Sequence, residues 1–194
     1  MQYWNGTAWM MIPPGKNGQT LTYYDGVPKW SPDIGDSYQG GIIAYILQPG
    51  DPGYDAKIIH GLIAAPSDQG EAPWGCNFTG AYGAAIGTGN QNTIAITSNC
   101  SQAWIAARLC ADLVLNGYSD WYLPSIDELV KLYEKNDVVG GFVANTNYLS
   151  STNNDNPSDQ VWSKFFNSGA PNNYYPPNYT FKGNVLPVRA IRSF

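Results

Sequence analysis

Apolar positions along the chain first separate into short alternating or continuous runs. Gly41–Leu47 and Lys57–Ala64 are compact apolar runs that read as two buried strands, separated by the turn-rich Gln48-Pro49-Gly50-Asp51-Pro52-Gly53. Residues 66–97 carry many glycines and no clear period, and read as irregular. From Asn99 to Leu115 the spacing becomes helical, with Ala103, Ala107, Cys110, Leu113 and Val114 on one face. Asn99 and Gln102 suit its start, and Asn116-Gly117 its end. Ser125-Ile126-Asp127-Glu128 is a capping-box sequence opening a second helix through about Lys135, with Leu129, Leu132 and Tyr133 as its buried face. Short strands are predicted over 148–152, 160–167 and 185–192. The pattern is that of an α+β domain, two helices among mainly antiparallel short strands.

The first 32 residues form a separate segment. Asn5-Gly6 between Trp4 and Trp9 suggests a hairpin with a type I′ turn, and Asp25-Gly26 within Leu21–Trp30 suggests another. So short a segment cannot bury a core alone. It is read as a stalk or oligomerisation unit, residues 1–32, joined to a domain over 33–194. A homo-oligomer is expected, a trimer foremost.

Composition narrows the function. The net charge is −5, charged residues are 13% and the ten Lys and Arg form no run, so no nucleic-acid partner is expected. No apolar stretch approaches the roughly 20 residues that span a bilayer, so no membrane insertion is expected. The start lacks the basic and apolar regions of a secretory leader. Cys76, Cys100 and Cys110 leave at least one thiol unpaired in a monomer; a Cys76–Cys100 bridge and three small apolar fillers are both open readings. The four N-x-S/T sequons exceed only slightly the about two expected from composition, and are treated as chance.

Candidate chemistry is sparse. His60, the one histidine, lies in an apolar strand context suited to a structural hydrogen bond. The glycines of 80–89 lack the G-K-[ST] ending of a phosphate loop. The cysteines and His60 have no zinc spacing, and Asn153-Asn154-Asp155-Asn156 lacks the ligand count of a calcium loop. Asp127 and Glu128 are explained by the dipole of their helix. No catalytic residue, metal or cofactor is therefore predicted.

The strongest compositional signal is in residues 145–184, which hold ten of the eighteen asparagines and four tyrosines. Tyr gives rigid contact area and Asn both donates and accepts hydrogen bonds, as binding surfaces need. A surface built by Asn153, Asn154, Asn156, Asn167, Asn172, Asn173, Tyr174, Tyr175, Asn178 and Tyr179 is expected, exposed on one contiguous face. Trp121, Leu123, Leu129, Trp162 and Val188 are expected in the core.

One stretch is specific to a family: Gly117-Tyr118-Ser119-Asp120-Trp121-Tyr122-Leu123-Pro124-Ser125-Ile126-Asp127-Glu128-Leu129. With Tyr38–Ile43, His60–Ala65, Ile86–Thr93, Tyr148–Thr152, Val161–Phe166 and the ending Val188–Phe194, it resembles the Lcl-type C-terminal domain over roughly 35–194. Leu149 stands where that pattern has Trp, and Asn153 where it has an acidic residue. The resemblance implies a C-type-lectin-like fold with its first and last strands adjacent. It does not imply calcium or sugar binding, since the E-P-N, Q-P-D and W-N-D motifs are absent. The Asn/Tyr/Ser-rich segment also resembles the variable regions of diversity-generating retroelement targets, and the N-terminal Trp units resemble stalk modules of phage fibres.

These resemblances imply a receptor-binding or adhesion module at a virion tail fibre or bacterial surface, engaging a cell-surface protein or polysaccharide. A structural fibre component is the alternative. An enzyme of the formylglycine-generating-like group fits less well, for want of paired Cys or several His.

Overall fold

The computed structural model describes residues 1–16, 19–24, 27–154, 159–167 and 177–194. The chain begins with two hairpins. Strands β1 (Gln2–Trp4) and β2 (Trp9–Met11) pair with Trp4 opposite Trp9. Four residues connect them, not the two of a type I′ turn. The Asn5 side chain explains the difference: its Oδ1 accepts from the amides of Thr7 and Ala8 at 2.9 and 2.8 Å. That local bond competes with the tighter turn. Strands β3 (Leu21–Tyr24) and β4 (Val27–Trp30) pair with Tyr24 opposite Val27, as expected for a two-residue connection; Asp25 and Gly26 themselves lie outside the described residues. The Trp30 ring packs over Gly15, where a Cβ would stand 2.5 Å from it, and its Nε1 donates to the Pro13 carbonyl at 2.9 Å. Lys16 pairs with Asp36, tying the hairpin segment to the start of the main domain.

Strands β5 (Ser37–Tyr38), β6 (Gly41–Ile46), β7 (Gly61–Ala64) and the C-terminal β13 (Ile191–Ser193) form an antiparallel sheet in the order β13-β7-β6-β5. The first and last strands of the domain, β5 and β13, are therefore not neighbours, because β6 and β7 lie between them. Phe194 nevertheless reaches Tyr38, with ring centroids 5.1 Å apart. The predicted strand over 57–64 begins only at Gly61. β6 ends opposite Gly61, so residues 57–60 have no strand partner, and Ile58 and Ile59 are exposed.

Strand β8 (Glu71–Ala72) precedes four helices: α1 (Gly89–Asn99), α2 (Ala106–Ala111), α3 (Ile126–Glu134) and α4 (Asn136–Val139). Of the expected helix over 99–115 only 106–111 is helical, as α2, and the expected irregular stretch 66–97 contains most of α1. Asn99 ends a helix instead of starting one. Two causes are local. Cys100 bonds to Cys76, and the Arg108 side chain takes the carbonyls of Thr97, Cys100 and Gln102. Trp104 then adopts φ 60, which interrupts helical backbone before α2. α1 lacks an apolar stripe because its buried face is partly polar. Asn92 and Thr93 are buried while Ile94 is exposed. Asn92 bonds the backbone of Gly83 in both directions, and Thr93 Oγ1 accepts from Leu123 N at 3.0 Å.

α3 matches its prediction. Ser125 Oγ accepts from Glu128 N, and Glu128 Oε2 accepts from Ser125 N at 2.7 Å. Glu128 does more than favour a dipole. It is buried and also accepts from Gly87 N at 2.9 Å, fastening the glycine-rich loop to α3.

Strands β9 (Thr146–Asn153), β10 (Gln160–Phe166) and β11 (Asn178–Phe181) form a second antiparallel sheet in the order β11-β10-β9. The predicted strand over 185–192 splits in two, β12 (Leu186–Pro187) pairing with β8, and β13 with β7. Between them Arg189 is fully buried and bonds Asp68 and the carbonyls of Ala65, Gly140 and Gly141. One core cluster includes Ile43, Trp74, Ile96, Trp121, Leu123, Leu149 and Val188; a second includes Leu129, Leu132, Tyr148 and Phe166. Trp121, Leu123, Leu129 and Val188 are thus core as expected, whereas Trp162 is only half-buried. The architecture is α+β with short antiparallel strands and a disulfide. No helix among the described residues is long and apolar enough to cross a membrane.

Candidate functional site

The β9–β11 sheet carries the described part of the Asn/Tyr-rich segment. Its register is fixed from both faces. Leu149 lies opposite Ser163 and joins Val161 in the first core cluster, whereas Tyr148 lies opposite Lys164 and joins Phe166 in the second. A one-residue slip would exchange the two sets, so burial on both faces holds the sheet in place. Lys164 is itself buried, with Nζ 3.8 Å from the centre of the Tyr133 ring, and burial pulls its ammonium pKa down. The Tyr148 hydroxyl accepts from Val143 N and donates to Asp68, which also holds Arg189.

The register of β10 on β9 shifts between Val161 and Ser163. Such a bulge re-aims side chains. Trp162, between these residues, lies half-buried opposite Tyr179 on β11, their ring centroids 4.2 Å apart. Tyr179 is 47% exposed. Beside it Asn178 is exposed, and its Oδ1 accepts from Ser163 Oγ at 2.8 Å. β11 is therefore an outer strand whose exposed side chains are pre-positioned by partners on β10.

The other predicted surface residues are placed differently. Asn153 is buried, with its amide donating to the Ala81 carbonyl at 2.7 Å, so the expectation of exposure is wrong for it. It ends β9 where the chain passes over the 80–84 loop, and that loop covers it. Asn154 and Asn167 are half-buried. Asn167 Oδ1 accepts from the Tyr133 hydroxyl at 2.9 Å, which ties the end of β10 to α3. Asn156, Asn172, Asn173, Tyr174 and Tyr175 lie outside the described residues.

Among the described residues, the predicted set spreads along the length of the sheet. Asn154 follows β9 and Asn167 follows β10, and the two strands are antiparallel. The two asparagines therefore stand at opposite ends of β10, about 20 Å apart for a strand of that length. Asn178 and Tyr179 lie beside Ser163 and Trp162, toward the Asn154 end. Sequence reasoning missed Trp162 as a support of this surface. Its framework motif pointed to the core, whereas it lies half-buried against Tyr179 of the outer strand.

Reactive side chains elsewhere are engaged. His60 Nδ1 lies 3.1 Å from the Phe194 carbonyl oxygen, beside an apolar cavity of about 210 Å³ lined by Leu47, Pro52, Leu62 and Ile86. Cys76 and Cys100 form a disulfide, resolving the two open readings in favour of the bridge. Cys110 is buried in α2, and burial pushes its thiol pKa up. Among the described residues no group of three His, Cys, Asp or Glu could hold a metal ion. Compared with known proteins, the chain matches no family model, and a search of the curated proteins found no match.

Proposed function

We propose that this chain is a non-enzymatic receptor-binding or adhesion module, with a C-type-lectin-like domain of the Lcl C-terminal kind. Its 145–184 region is a diversified recognition surface, displayed at a phage tail-fibre tip or on a bacterial surface. The receptor is a cell-surface protein or polysaccharide. The observation that carries this reading is the β9–β11 sheet, fixed by core on both faces while its outer strand offers Asn178 and Tyr179 to solvent beside Trp162. A rigid frame that holds aromatic and amide groups at the surface reduces the ordering cost of binding. The hydrogen-bonded His60, the paired Cys76 and Cys100 and the buried Cys110 support a non-catalytic role. The disulfide fits an oxidising compartment, as expected at a virion or cell surface.

Self-association, as a trimer foremost, is part of the proposal. Trp4, Trp9 and Met11 share one face of the first hairpin by register, and all three are exposed. Trp30, in the second hairpin, is packed on Gly15 and hydrogen-bonded to Pro13. The Trp9 ring meets that of Trp4, centroids 5.7 Å apart, and a second copy would cover the exposed pair.

Sequencing the coding region in many progeny of one clone tests the diversification. Substitutions concentrated in 145–184, at Asn and Tyr codons, are expected. Uniform drift along the chain would instead support a purely structural fibre component.

A further inference from the structure

Two large aromatic side chains stand far out of the surface on backbone that bulky residues avoid. Trp104 has φ 60 and is 79% exposed; Phe78 has φ 57 and is 78% exposed. Such conformations persist only where the surroundings impose them, and they gather at functional sites. Here the surroundings are well defined. The Cys76–Cys100 disulfide straps the two loops together, and Asn99 Nδ2 donates to the Thr79 carbonyl at 3.2 Å. Ile105, next to Trp104, is fully buried, and Ala106 N donates to the Pro73 carbonyl at 2.9 Å. Both loops are tethered at these points, and both rings are exposed to water. Packing does not account for the rings, because so little of either is buried.

Trp104 forms one wall of a shallow groove of about 310 Å³, completed by Ala103, Leu109, Arg108 and Asp112. The Arg108 guanidinium is held rigidly: Nε donates to the Gln102 carbonyl, and Nη2 to those of Thr97 and Cys100. Among the described residues its Nη1 donates to nothing, and Asp112, four residues on, is exposed. The groove thus offers a flat indole, a fixed donor and a carboxylate acceptor, with the two charges offsetting each other. That set matches a neutral ligand whose hydroxyls both donate and accept, and whose C–H face lies against the negative face of an aromatic ring. The groove is open at its sides. An extended polymer fits this layout better than a small solute.

We propose that the Trp104–Arg108–Asp112 groove binds a neutral polysaccharide, with one sugar ring stacked on Trp104. The site lies outside the 145–184 surface and does not depend on that surface being diversified. The Arg108 guanidinium, already held by three carbonyls, loses little freedom on binding, which favours affinity even in a shallow site.

Affinity electrophoresis of the full chain through native gels containing soluble β-glucan, mannan, galactomannan or arabinoxylan tests this. Retardation by at least one polymer is expected. Trp104→Ala should weaken it about tenfold or more, as loss of an aromatic hot spot does. Asp112→Asn should weaken it less. Trp104→Gly keeps the positive φ accessible and serves as the folded control, with an unchanged melting temperature and the same loss of retardation. No retardation by any of the four polymers would overturn the proposal. Equal retardation of wild type and Trp104→Gly would do the same, as would a groove that captures only a protein.

Discussion

Trp162 on β10 and Tyr179 on β11 face each other across the strand pair, ring centroids 4.2 Å apart, with Trp162 half-buried and Tyr179 half-exposed. The contact marks where the packed interior gives way to the outer strand of the Asn/Tyr-rich region. Aromatic pairs of this kind contribute about 0.5–1.5 kcal/mol beyond their burial. That is enough to orient Tyr179, but too little for the fold to depend on it.

The fold depends far more on Arg189. It is fully buried, ion-paired with Asp68 at 2.7 Å, and bonded to the carbonyls of Ala65, Gly140 and Gly141. Removing the guanidinium leaves Asp68 without its cation and three carbonyls without a donor. Arg189→Ala should cost about 3–5 kcal/mol, as breaking a buried pair does. Urea unfolding measures it; a loss under about 1 kcal/mol, usual for surface sites, would show that water replaces the guanidinium.

The Cys76–Cys100 bridge spans 24 residues. Closing a loop of that size stabilises by about 3 kcal/mol in the chain-entropy treatment. The Cys76→Ala/Cys100→Ala variant should melt several degrees lower, and a reducing agent should lower the wild type to the same point. Cys110 should stay unreactive to thiol reagents in the folded protein, since it is buried and its thiol pKa is pushed up. Rapid labelling of a native thiol would contradict the pairing.

Two carboxyls give opposite pH dependences. Hydrogen bonding and charge from Arg192 lower the Asp120 pKa below its ordinary 3.8. Its stabilisation is therefore complete above that value and is lost as pH falls through the lowered one. Burial raises the Glu128 pKa above 4.5, so its contribution is complete below 4.5 and is lost as pH rises through the raised value. Asp120→Asn should flatten the acid limb of stability against pH, and Glu128→Gln the limb above about pH 4.5. Chemical denaturation across that range reads both. An unchanged acid limb in Asp120→Asn would show that the exposed Asp120 is screened out.

The first hairpin should drive self-association. In the double variant Trp4→Ser/Trp9→Ser, light scattering should give a monomer, with the wild type an oligomer at micromolar concentration. A monomeric wild type would remove the stalk role.

Where local chemistry decides the structure, the sequence was readable. The Ser125–Glu128 capping box set the start of α3, and the apolar run over 41–47 became β6. Helix α1 was hidden because its buried positions Asn92 and Thr93 bond to a distant loop and to Leu123, which no helical period reveals. The helix expected over 99–115 is reduced to α2 because a disulfide and Arg108 act on carbonyls that helical spacing takes no account of. Composition singled out residues 145–184 but does not tell which side of the sheet each asparagine occupies. Asn153 is interior and Asn178 exterior, although the residue type is the same.

The central claim is that the 145–184 region recognises a receptor. Attachment of the labelled full chain to a panel of bacterial cells, compared with Tyr174→Ala/Tyr175→Ala/Tyr179→Ala, tests it most directly. Loss of attachment with a nearly unchanged melting temperature is predicted. Attachment that survives the triple substitution, or a triple variant that unfolds, would contradict the account.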